Sequence, residues 1–241
     1  MTDEPIQVQD RSEYKQRMLD LLEIDPARTA VVTIDMQHNY LSPGVGALPV
    51  EDDEAERVVA AAERLYGFAR GLGIPVVHSY TVRRQVEIDQ GFVMAGVRLM
   101  QAGISRKVSQ LPHAEVSDLP DRLEGTKQAE LVPSLVAEGD LHLRSKRTMD
   151  AFQYTELHML LDRVFDVDTV ILSGINTDTC VLSSTFTAAN HGYQPVVAAE
   201  CVASTRGKDS HAMALEMMAR SIAWVATNDQ IEAKLTAAGG R

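Results

Sequence analysis

Six short strand-like runs separated by amphipathic stretches constrain the fold of this 241-residue chain more than any other feature. The runs are Ala30-Val-Val-Thr-Ile34, Ile74-Pro-Val-Val-His-Ser-Tyr80, Asp140-Leu-His-Leu-Arg144, Thr169-Val-Ile-Leu-Ser173, Pro195-Val-Val-Ala-Ala199 and Ile222-Ala-Trp-Val-Ala226. Over 55–70, 155–164, 179–189, 209–219 and 229–235, apolar residues recur three and four apart, the spacing of one helical face. A further helix is expected near 91–100, and a short amphipathic one around 13–22. Gly71 and Gly73 stop the helix before the second run, and Gly192 stops the one before the fifth. Strands alternating with helices imply a parallel sheet covered on both faces. In such sheets ligands sit beyond the carboxyl ends of the strands.

Residues 1–28 read as a polar N-terminal extension carrying the short helix, and residues 29–241 as a single domain. From 81 to about 135 the pattern weakens, with a polar segment over 108–125. A long irregular connection inside a compact domain is usually a functional loop or lid. Residues 84–135 are therefore expected over a site, either in the same chain or in a neighbouring subunit.

With 34 acidic against 23 basic residues and a net charge of −11, nucleic acid and anionic membranes are poor partners. No apolar run approaches the roughly 18 residues of a membrane span. The start Met1-Thr-Asp-Glu4 lacks the basic and apolar regions of a signal peptide. Two cysteines give no disulfide framework, so a reducing cytoplasm is the expected compartment.

Three reactive side chains fall at or just past strand ends: Asp35, Lys146 and Cys180. Cys180 follows Gly174-Ile-Asn-Thr-Asp-Thr179 and lies where a helix opens. The positive end of a helix and its unpaired N–H groups favour a thiolate and can hold an oxyanion beside it. Thiolate attack on an amide also needs a base and an acid for the leaving nitrogen. No histidine lies close on this rim except His38 or His78. Asp35 can serve instead where partial burial favours its protonated form. Lys146, cationic beside both, would favour the thiolate and hold the carboxylate. Taken singly, Cys180 is a small buried hydrophobe, Asp35 a loop-capping acid and Lys146 a surface charge. Their joint placement on one rim favours the chemical reading. Cys201, after Ala-Ala-Glu200, reads as structural, and no Cys-x-x-Cys motif supports a redox role.

Asp35-Met-Gln37, Lys146 with Ala151-Phe152 and Thr155, and Gly174-Ile-Asn-Thr-Asp-Thr-Cys180-Val181 together resemble the cysteine hydrolases of the isochorismatase-like superfamily, in that family's order. The resemblance spans roughly 29–226. It implies a three-layer α/β/α fold with a six-stranded parallel sheet, Rossmann-like in architecture. It also implies a catalytic triad of Asp35, Lys146 and Cys180. The peptide Ile175–Asn176 falls where the family has a cis bond, which would aim the Asn176 N–H, with that of Cys180, at the oxyanion. The reaction implied is hydrolysis of a C–N bond in a small amide or ureido compound through a thioester, with ammonia or an amine as first product. A nicotinamidase-like or maleamate-like amidase is the alternative, followed by a non-catalytic binding member of the fold.

Two departures narrow the resemblance. Nicotinamidases carry a metal-binding Asp/His cluster after the second strand, where this chain reads His78-Ser-Tyr-Thr-Val-Arg-Arg84, so neither a metal nor any other cofactor is expected. Vinyl-ether-cleaving isochorismatases lack the cysteine, so Cys180 points to an amide or ureide carbon. Gln37, Arg83, Arg84, Phe152 and Tyr154 are candidate substrate contacts, and Arg147 is another group able to meet a carboxylate. Each also has a plainer reading as a turn, salt-bridge or packing residue. Family members are commonly dimers or tetramers, so a homodimer or homotetramer is expected, with Met213, Met217 and Met218 as core or interface.

Overall fold

The computed structural model describes residues 8–92, 98–104, 106–115, 117–119 and 121–239. Six parallel strands, β1 (Thr29–Ile34), β2 (Val76–Ser79), β3 (Leu141–Leu143), β4 (Thr169–Ile175), β5 (Gln194–Ala203) and β6 (Trp224–Ala226), form one sheet in the order β3-β2-β1-β4-β5-β6. The helices are α1 (Ser12–Leu21), α2 (His38–Leu41), α3 (Asp52–Gly71), α4 (Gln85–Asp89), α5 (Arg98–Ile104), α6 (Leu157–Met159), α7 (Leu182–Asn190), α8 (Lys208–Ser221) and α9 (Asn228–Gly239). Every residue of β1 and β4 is buried, as their unbroken apolar runs require at the centre of a sheet covered on both faces.

Strand alternation builds two cores. On one face Val31, Val76, Ile171 and Val196 meet α3 and α9; on the other Val32, Ile34, Leu172 and Val197 meet the layer of α6, α7 and α8. Helix α3 shows how the layer docks. Its buried residues Ala55, Val58, Ala62, Leu65, Tyr66 and Ala69 make one stripe, while Asp52, Asp53 and Glu54 complement the positive end of its dipole. The three-layer α/β/α architecture expected from the sequence is present. Leu22 and Ile24 join the first core, and Trp224 Nε1 donates to the Met18 carbonyl (2.9 Å), so α1 leans on β6.

The differences are local. Strand β5 runs on to Ala203, which puts Cys201 inside a strand, fully buried. The stretch 155–164 is a three-residue α6 followed by a π-helical turn over Leu160–Val164. Of the helix expected at 91–100, residues 93–97 lie outside the described set, and the described helix there is α5.

One polar network crosses the first core. His78 Nδ1 pairs with Thr33 Oγ1 (2.7 Å), its Nε2 with Asp140 Oδ2 (3.0 Å), and Asp140 accepts from Arg70 (2.6 Å). Burial holds the His78 pKa down to about 4, against the opposing pull of Asp140. The folded protein therefore keeps His78 neutral where the unfolded chain, titrating near 6.5, takes up a proton. Stability from this residue is complete above about pH 6.5 and lost as pH falls toward 4, by up to about 3 kcal/mol. Urea unfolding at pH 7, 5.5 and 4.5 should show this loss, and His78→Gln should remove its largest part.

Candidate active site

The site forms where the carboxyl ends of β1, β2, β3 and β4 converge. Asp35 directly follows β1 in the left-handed region (φ 52°), its N–H bonded to the Ser79 carbonyl at the end of β2 (3.0 Å). That backbone, unusual for a non-glycine residue, turns the carboxylate across the strand ends. Asp35 Oδ1 accepts the Thr81 N–H (3.1 Å), and Thr81 Oγ1 donates to the Lys146 carbonyl (3.1 Å). Thr81 thus ties the segment after β2 to both charged residues.

Gly174, in β4, pairs with Ile34 of β1. A Cβ at Gly174 would lie 2.1 Å from the Ile34 carbonyl oxygen, and φ is +130°, so only glycine lets β4 pass this close to the residue before Asp35. The Ile175–Asn176 peptide is cis. The chain then makes a π-helical turn, Thr177–Val181, that carries Cys180 and runs into α7. The turn is pinned on several sides. Asn176 Oδ1 accepts the Thr205 N–H (2.8 Å), Arg206 forks onto Asp178 (2.6 and 2.9 Å), and Ser184 Oγ donates to the Cys180 carbonyl (2.7 Å).

These supports bring three of the expected residues together. Lys146 Nζ lies 2.6 Å from Asp35 Oδ2 and 3.5 Å from Cys180 Sγ, with Lys146 and Asp35 fully buried. Burial works against the ammonium, but Asp35 and Cys180 raise the Lys146 pKa above that of an ordinary lysine. One cation therefore serves an acid and a sulfur in a dry site. Cys180 itself is 9% exposed. Both cysteines are free, and burial pushes the Cys201 thiol up to about 12, consistent with a structural residue.

The other expected residues scatter. Gln37 is buried, and its Nε2 is occupied by the Thr81 and Ala129 carbonyls (2.8 Å each). Phe152 packs in the second core, stacked on Tyr193 at a centroid separation of 6.0 Å. Tyr154 is 82% exposed, Arg84 is exposed, and Arg147 is bound to Glu87 (2.7 Å). Arg83 Nη1 lies 3.8 Å from Asp121. His38 pairs with Ser42, and His78 pairs with Thr33 and Asp140, so neither is bonded to Asp35, Lys146 or Cys180. Among the described residues no group of three or more His, Cys, Asp or Glu side chains is placed to hold a metal, and no helix is long and apolar enough to cross a membrane.

Two residues near Asp35 have no signal in the sequence. Tyr40, in α2, is buried beside Arg122, whose guanidinium carbon lies 5.4 Å from the Tyr40 ring centre. Burial pushes the Tyr40 hydroxyl pKa well above its usual range. Arg122 belongs to the polar segment after 108, where an Asp-Arg pair looks like ordinary surface.

The isochorismatase domain model matches residues 29–230. Maleamate amidohydrolase of Pseudomonas putida is 30% identical over 187 residues, covering 76% of each chain. Ureidoacrylate amidohydrolase RutB of Methylobacterium radiotolerans is 26% identical over 219 residues, covering 88% of this chain and 81% of its own. The crystal structure of a cysteine hydrolase from Pseudomonas syringae pv. phaseolicola superimposes with a TM-score of 0.71 at 21% identity, covering 90% of this chain and 96% of that one. With the match spanning all six strands and the Asp35, Lys146 and Cys180 rim, this chain belongs to the isochorismatase family.

Proposed function

We propose that this protein is a cysteine-dependent amidohydrolase that cleaves the C–N bond of a small amide or ureido compound through a thioester on Cys180. The observation that carries the reading is the Lys146 ammonium held within reach of both the Asp35 carboxylate and the Cys180 sulfur. The names of the two amidohydrolase relatives support the same reaction class.

In this scheme Asp35 accepts the thiol proton and Lys146 stabilises the thiolate that results. The sulfur attacks the carbonyl carbon, and the developing oxyanion is met by the N–H groups of Asn176 and Cys180. The protonated Asp35 then delivers its proton to the leaving nitrogen, the C–N bond breaks, and ammonia or an amine departs. The remaining thioester is opened by water, from which Asp35 takes a proton, and collapse of the second tetrahedral intermediate returns that proton to the sulfur. The net change is amide plus water to acid plus amine. The same reading places the enzyme in the cytoplasm as a homodimer or homotetramer, with the exposed Met213 and Met217 of α8 as interface residues.

Ammonia release should be measured on nicotinamide, biuret, N-carbamoyl amino acids, ureidoacrylate-type acids and maleamate. Release from at least one, growing linearly with enzyme, is the expected result. Turnover of none would move the reading to a binding member of the fold.

A further inference from the structure

We propose that Arg122, braced by Asp121 beside Arg83, anchors a substrate carboxylate, so that the compound cleaved at Cys180 is a short acid amide or ureide with an anionic far end. This rests on the hydrolase reading above and narrows it to a substrate class.

The fold delivers Arg122 to the same rim. The returning arm of the β2–β3 connection lies against the residues after β2, with the Arg83 N–H bonded to the Arg122 carbonyl (2.8 Å) and the Glu124 N–H to the Arg83 carbonyl (2.8 Å). Two residues before Arg83 is Thr81, whose N–H holds Asp35. The Arg122 backbone is left-handed (φ 54°), and only 5% of the residue is exposed. Its guanidinium rests against the ring of Tyr40, from the short helix that follows Asp35.

The charge pattern around it is unbalanced. Arg122 Nε and Nη2 fork onto Asp121 (2.6 and 2.9 Å), which leaves Nη1 outside that fork. Asp121 also faces Arg83 Nη1 at 3.8 Å and Asn39 Nδ2 at 3.5 Å. Among the described residues, two guanidinium groups thus share one carboxylate. Arg83 Nε is buried and has no hydrogen-bond partner among those residues. Asp35 and Lys146 already neutralise each other, so the rim carries an excess positive charge, with Arg122 buried and Arg83 half-buried. A buried cation without a full counter-charge is unfavourable unless an anion completes it, and a planar guanidinium fits a carboxylate. The interaction is felt at the triad, since Arg122 acts on the charges of both Asp35 and Lys146. A chain with net charge −11 repels anions over most of its surface, so a local cationic anchor is what would admit one.

The test is binding separated from turnover. Calorimetry on Cys180→Ala would compare maleamate with maleamide, its neutral isostere. Maleamate is expected to bind at least about tenfold more tightly, a preference that Arg122→Gln in the same background should abolish and Arg122→Lys should reduce. With Cys180 intact, Arg122→Gln should raise KM for the anionic compound at least about tenfold more than for neutral amides. A merely structural Arg122 would lower both substrates together, and that result would overturn the proposal. So would a preference that survives in Arg122→Gln, or failure of Cys180→Ala to bind either compound. Wild-type turnover confined to neutral amides removes the anchor but leaves the hydrolase. Anion-selective binding with no ammonia from any compound removes the hydrolase but leaves the anchor.

Discussion

Cys180→Ala should lower amide turnover by at least about 10³-fold while the protein stays folded, because in the proposed reaction the thiol forms the covalent intermediate. Cys180→Ser should be nearly as poor. Its hydroxyl is close in shape, but it holds its proton far more tightly than a thiol, and among the described residues no histidine is bonded to Cys180, Asp35 or Lys146 to remove it. The residue sits at the edge of the second core, so losing one sulfur atom costs little packing. Two measurements bear on this directly. Circular dichroism and the unfolding midpoint should change little in either variant, and mass spectrometry of acid-quenched wild type should find an acyl group on Cys180 during turnover. A serine or alanine variant with full activity would end the thioester mechanism.

The second large effect concerns Lys146 and separates stability from chemistry. Lys146→Met leaves the fully buried Asp35 carboxylate with the Thr81 N–H but without its cation. Removing one partner of a buried ion pair typically costs about 3–5 kcal/mol, because the remaining charge has lost its counter-charge and stays out of water. Activity should vanish as well, since the sulfur loses the same ammonium. Adding Asp35→Asn removes the stranded charge, so the double variant should recover much of the stability and none of the activity. Urea unfolding of the two single variants and the double one closes a thermodynamic cycle. Full stability in Lys146→Met, or an active double variant, would show that the pair does not have the role assigned to it.

Both expectations depend on residues that are legible in the amino-acid sequence, and the reason is specific. Strands buried on both faces write themselves as unbroken apolar runs, so β1 and β4 stand out, and with them the chemical residues at their ends. The stripe of α3 stands out for the same kind of reason, because 3.6-residue periodicity is a local property. Helical type does not. Residues 155–164 and 177–181 keep helix-like spacing, yet both contain π-helical turns, whose hydrogen bonds are chosen by what packs around them. Gln37 and Phe152 show the converse: the two backbone carbonyls on Gln37 Nε2 and the Tyr193 ring stacked on Phe152 are contacts that residue type alone does not announce.

By itself, the sequence determined the alternating elements and the parallel sheet, and it set Asp35, Lys146 and Cys180 at or just past strand ends, all encoded in short-range pattern. Only the tertiary structure decided that β1 lies between β2 and β4, that Lys146 reaches across 111 residues of chain to Asp35, and that Arg122 returns to the same rim from an aperiodic loop. The physical reason is that these contacts owe nothing to local conformational preference. They form only when strand order and loop closure bring distant charges into a dry space, where each requires the other.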